Sequence, residues 1–176
     1  MSLLRALFGG SGDRAALRPL YAAIVEEARQ PAWYRDAAVP DTIDGRFEMV
    51  AAVLSLVLIR LEGDGDPGKA PSTFLAEIFV DDMDGQLREI GIGDIVVGKH
   101  IGRMMSALGG RLGAYRDALA PGAGADTLES ALVRNVYRGD EPSAGALAML
   151  AAGIRRLAAQ IGGVPLDTLL GGRLLP

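Results

Sequence analysis

A chain of 176 residues with 49% hydrophobic and 23% charged side chains has the size and balance of one folded domain rather than a disordered segment. Its formal charge of −4 points away from dedicated nucleic-acid binding, which calls for a basic balance. It has no cysteine, which rules out disulfides, thiolate metal sites and thiol nucleophiles.

Residues 1–12, "MSLLRALFGGSG", hold a short apolar run and then glycines, and read as a flexible N-terminal segment without a secretory signal. A helix follows over Arg18–Gln30, with Pro19 in its first turn and Leu20, Ile24 and Ala28 on one face. Pro31–Pro40 is a connector bounded by prolines, a turn or short helical piece carrying Trp33 and Tyr34. Asp41 reads as the cap of the second helix, and Asp44 adds negative charge to its first turn, where the helix dipole favours it. That helix should run to Glu62. Met49–Ile59 is uncharged for 11 residues, against the roughly 20 that a membrane span needs. Apolar residues lie on nearly all its sides, so it is the expected central helix.

Gly63–Pro71 reads as a surface loop by composition, and a third helix starts at Pro71–Ser72 and stops at Gly91. Asp94 reads as the cap of the fourth. Steps of 100° put Val97, Ile101, Met104, Met105, Leu108, Leu112, Tyr115 and Leu119 on one face, with Lys99, His100, Arg103 and Arg111 on the other. After the loop Pro121–Asp126, Asp126 and Glu129 resemble a capping box for a helix closed by Gly139. A further helix runs from Pro142 to Gly162. The remainder, 164–176, reads as an apolar C-terminal tail without obvious structure. No β-alternation and no repeat is visible, so the expected fold is all-α: a single compact multi-helix bundle over 13–163.

The stretch Phe79–Met105 carries the densest ionisable chemistry. With Gly85 as the sixth residue of a calcium loop, Asp82 and Asp84 fit the third and fifth positions. Val80 and Gly91 then occupy the first and twelfth, so both anchoring ligands are missing. Gly93–His100 spells a phosphate loop with His100 where Ser or Thr would hold magnesium. The segment reads as helix from Asp94, and helical amides are already bonded and cannot cradle a phosphate. His100 is the only histidine, which leaves no zinc set. Asp81 and Asp84 read as a solvated face, with Asp84 one turn from Arg88. Asp82 falls on the apolar side with Phe74, Leu75, Ile78 and Phe79, and is expected to tie its helix to a neighbour. Lys99, His100 and Arg103 read as an outward basic stripe. Trp33 and Tyr34 are either a packed connector or an aromatic interface anchor.

Trp33–Leu61 ("WYRDAAVPDTIDGRFEMVAAVLSLVLIRL"), Phe79–Met105 and the later "GRLGAYRDAL" together resemble the ubiquinol–cytochrome c chaperone family. The letters that carry the resemblance are Val39–Phe47 and Asp81–Lys99. The resemblance implies an all-helical, non-enzymatic assembly factor for respiratory complex III, needed to make or stabilise newly made cytochrome b. Mitochondrial members work with a small partner assembly factor near the ribosome exit and the inner membrane. A bacterial version would act in the cytoplasm, peripheral to the inner membrane. The resemblance implies no cofactor. On that reading Trp33, Tyr34, Asp81, Asp84, Lys99, His100 and Arg103 are candidate partner contacts, and Asp41, Asp44, Asp82 and Asp94 are structural. The competing readings are a small helical nucleotide- or metal-binding enzyme, and a lipid or quinone carrier, which an apolar cavity of about 300 Å³ or more would favour.

Overall fold

The computed structural model describes the backbone of residues 13–89 and 94–176, with side chains described except at 86–89, 94–104 and 125–126. The N-terminal segment 1–12 and the expected stop at Gly91 lie outside the described residues. Among the described residues the chain forms no strand; residues 13–16 are helical, and further helices follow. These are α1 (Arg18–Ala28), α2 (Pro31–Arg35), α3 (Ile43–Gly63), α4 (Asp66–Glu89), α5 (Asp94–Leu119), α6 (Ala125–Asn135), α7 (Ala144–Gly163) and α8 (Leu166–Leu170). The all-α expectation holds.

α3 is the axis of the fold. Every residue from Glu48 to Leu58 is buried, because α1, α4, α5 and α7 pack around it. α1 contributes Leu20, Ile24 and Ala28, the face read from their spacing. α6 closes the bundle between α5 and α7. The cap of α3 is Thr42 rather than Asp41: the Gly45 amide donates to its Oγ1 at 3.1 Å. Asp41 instead accepts from Arg46 Nε at 2.7 Å. Asp44 does lie in the first turn, where it pairs with Arg138.

Three expectations about boundaries are corrected. α4 begins at Asp66, so most of the expected loop is helix. Gly65, at φ +68°, makes the turn, Pro67 enters where no amide partner is needed, and Lys69 Nζ donates to Asp66 at 2.6 Å. Pro71 sits inside the helix and forgoes only the bond its amide would make to the Pro67 carbonyl. α6 has Gly124 as its N-cap, with no side-chain capping bond, and Glu129 is turned to α7, where both Arg155 Nη atoms donate to it at 2.9 Å. The capping box is therefore absent; the side chain of Asp126 lies outside the described ones.

The third correction concerns residues 164–176, which are part of the core. Val164, Leu169 and Leu174 are buried. Gly172, at φ +94°, lies against Pro19 and Leu20 of α1, where a Cβ would stand 2.8 Å from Pro19 Cβ. No other residue fits that approach without displacing α1.

Candidate functional site

Of the three aspartates on α4, Asp81 pairs with Arg14, which precedes α1, and Asp82 accepts from the Tyr21 hydroxyl of α1 at 2.8 Å. Asp84 is half-buried; the expected pairing with Arg88 lies outside the described residues. Asp82 is half-buried too, beside buried Ile78, Phe79 and Met83, so its hydrogen bond joins α4 to α1 at the edge of the core. No group of three carboxylate or imidazole side chains gathers for a metal ion among the described residues. α5 starts at Asp94, so Asp94–His100 is helical. The side chains of Asp94, Lys99, His100 and Arg103 lie outside the described ones, and with them the expected basic stripe and cap.

The buried ion pair lies elsewhere, and sequence reading missed it. Arg111, placed with the outward basic residues, is turned inward onto Glu48 of α3, with Nε donating to Oε2 at 2.6 Å and Nη2 to Oε1. Nη1 bonds the Ala107 carbonyl at 2.9 Å, and the guanidinium lies 5.8 Å from the centre of the Phe47 ring. The Glu48 side chain is 6% exposed and that of Arg111 15%, the deepest ion pair among the described residues. The available signal was Glu48 itself: a charge on a helix buried on all sides must find a partner.

Of the two readings of Trp33, its place in the structure matches the packed connector. It is 7% exposed, its indole N–H donates to the Glu27 carbonyl at 2.8 Å, and its ring lies on Gly153 of α7. The Tyr34 hydroxyl donates to the Ala28 carbonyl at 2.8 Å, and its half-buried ring packs against the core. Both aromatics bind the connector to its own scaffold.

Burial pushes the phenols of Tyr21 and Tyr115 far above the ordinary range, with Asp82 adding to the rise at Tyr21 and Glu48 at Tyr115. Burial also raises Tyr34, and lifts Tyr137 to about 12. The unfolded chain ionises these groups near pH 10, before the folded one does. Their stabilisation is thus fully present below about pH 10 and is lost as pH climbs toward the folded values. In alkaline titration, tyrosinate absorbance should stay flat past about pH 10 and then rise together with loss of helical circular dichroism. A smooth rise centred near pH 10 would show the phenols to be exposed.

Two of the troughs on the described surface have the most apolar lining. The first, about 690 Å³, lies between α3, the end of α5 and α7, walled by Leu56, Ile59, Leu119 and small residues of α7 and rimmed by the Glu129–Arg155 pair. The second, about 540 Å³, lies between α4 and α5 over Leu58 of α3. Its apolar lining includes Ala76, Val80, Leu108, Leu112 and Met105, which is 43% exposed. Glu62, Glu77, Asp81 and Arg14 complete it. Both exceed the volume set for a lipid or quinone carrier, but each is an open groove at a helix seam beside ion pairs rather than an enclosed apolar cavity. α7 is long and apolar enough to cross a membrane by length and composition, while its inward face, including Leu150, Ile154, Leu157 and Ile161, packs in the core.

Residues 35–175 match the family described as ubiquinol-cytochrome C chaperone. The chain belongs to that family. The match extends the resemblance seen over Trp33–Leu119 through the C-terminal residues, in keeping with their place in the core. The fold is also similar to the crystal structure of the Cbp3 homolog from Brucella abortus, with a TM-score of 0.80 and 32% identity, covering 98% of this chain and 94% of that one. The comparison with curated proteins finds no match. Membership in the chaperone family gives this bundle its general role in complex III assembly.

Proposed function

We propose that this chain is a non-enzymatic chaperone that binds newly made cytochrome b and holds it for assembly into respiratory complex III. The observation that carries the reading is the family match over residues 35–175, supported by full-length similarity to a solved Cbp3 homolog. The chaperone acts in the cytoplasm of a bacterium, at the inner-membrane face, where an apolar client leaves the ribosome. A small partner assembly factor would contact the surface left open by the bundle.

Deleting the gene in its source organism should deplete cytochrome b and complex III while other respiratory complexes persist. Reintroducing the tagged chain should restore both, and newly made cytochrome b should be captured with it. Normal cytochrome b in the deletion strain overturns the reading.

A further inference from the structure

We infer that the trough between α4 and α5 is where an apolar helix with a basic flank docks, the form a membrane protein's segment takes before insertion. The inference deepens the chaperone reading and rests on it for the client's identity.

Charge complementarity singles out this trough. Three carboxylates line it; Glu62 is held by Arg116, while Glu77 and Asp81 share a single guanidinium, Arg14, which leaves one negative charge in excess. Glu77 and Asp81 stand one turn apart on α4 at the trough's edge, and Arg14 lies across them, within 3.9 Å of Glu77 and bonded to Asp81. The protein itself thus shows that a guanidinium fits this rim beside an apolar floor. The floor is Leu58, Val80, Leu108 and Leu112, with Met105 exposed at the wall. An unbranched thioether adapts to differing apolar shapes. Cytoplasmic ends of transmembrane helices carry an excess of Lys and Arg, so an uninserted segment offers apolar side chains followed by cations. The larger trough on the α7 side is rimmed by Glu129, Arg155 and Arg60 and lacks such an acidic excess.

The test uses the full chain and two fluorescent peptides in mild detergent, each a Leu/Ala helix, one flanked by lysines and the other by glutamates. The lysine-flanked peptide should bind about tenfold more tightly or better, and Glu77→Lys with Asp81→Lys should abolish that preference. Ala76→Phe, which fills the floor, should weaken both peptides, while melting and circular dichroism confirm that each variant folds. Equal binding of the two peptides, or unchanged binding by the filled variant, overturns the inference. Removal of residues 1–12 should leave binding unchanged; binding seen only after that removal would make the chain's own N-terminal segment the occupant and overturn it. A dimer that the charge reversal dissociates would make the occupant a second copy, with the same consequence. If wild type captures cytochrome b and the trough variants capture it equally, the trough is wrong and the chaperone reading stands. If the lysine preference holds while the deletion strain keeps normal cytochrome b, the docking mode stands and the client's identity falls.

Discussion

Glu48→Ala is expected to destabilise the fold by about 3–5 kcal/mol, because it leaves the Arg111 guanidinium inside the bundle without its carboxylate. Desolvating an ion is costly, and only the paired geometry offsets that cost. The bond from Arg111 to the Ala107 carbonyl and the Phe47 ring face compensate in part, since neither carries a full negative charge. For a chain of this length the loss corresponds to a Tm lower by about 6–20 °C. Arg111→Ala should cost a comparable amount by stranding Glu48. Glu48→Leu combined with Arg111→Met should come close to wild type, because apolar side chains of similar volume remove both desolvation costs together. Urea denaturation of wild type, the two alanine variants and their combination gives the coupling, with the Leu/Met protein measured beside them. A change within about 0.5 kcal/mol for Glu48→Ala would place the pair at the surface instead.

Trp33→Ala should cost about 3–5 kcal/mol, the usual range for emptying an aromatic site in a packed interior. The particular contact is with Gly153, where a Cβ would stand 2.5 Å from the indole ring. Gly153→Ala alone should therefore destabilise by about 1–3 kcal/mol through overpacking. In the Trp33→Ala background the same substitution should be harmless or favourable, since its methyl group enters vacated space. That reversal of sign separates direct packing from a general preference of α7 for alanine over glycine. Stability close to wild type for Trp33→Ala, combined with loss of client capture, would restore the indole as an interface anchor.

Local pattern determined a good deal here. The spacing of Leu20, Ile24 and Ala28 set the buried face of α1, and the uncharged run Met49–Ile59 marked the central helix. Separated motifs between Trp33 and Leu119 carried the family resemblance that the match over 35–175 supports. These features are properties of neighbouring residues, and helical periodicity makes them visible in one dimension.

What only the tertiary structure decided involves residues distant in sequence or choices between adjacent ones. Asp41 and Thr42 both offer a capping oxygen. The choice fell to Thr42 through its extended backbone, at φ −120° and ψ 167°. Arg111 sits on a helix whose wheel assigns it to solvent, yet its partner Glu48 lies 63 residues earlier on α3, so the inward turn exists only once the two helices meet. Trp33 gains its packing surface from Gly153, and Gly172 meets Pro19 and Leu20 of α1. The sequence by itself therefore determined that this protein is an all-helical bundle and which helix lies at its centre. Which charges are buried, which aromatics face inward and where the troughs open were decided by helix packing. Such contacts depend on the relative placement of whole helices, and no periodicity within one helix encodes that placement.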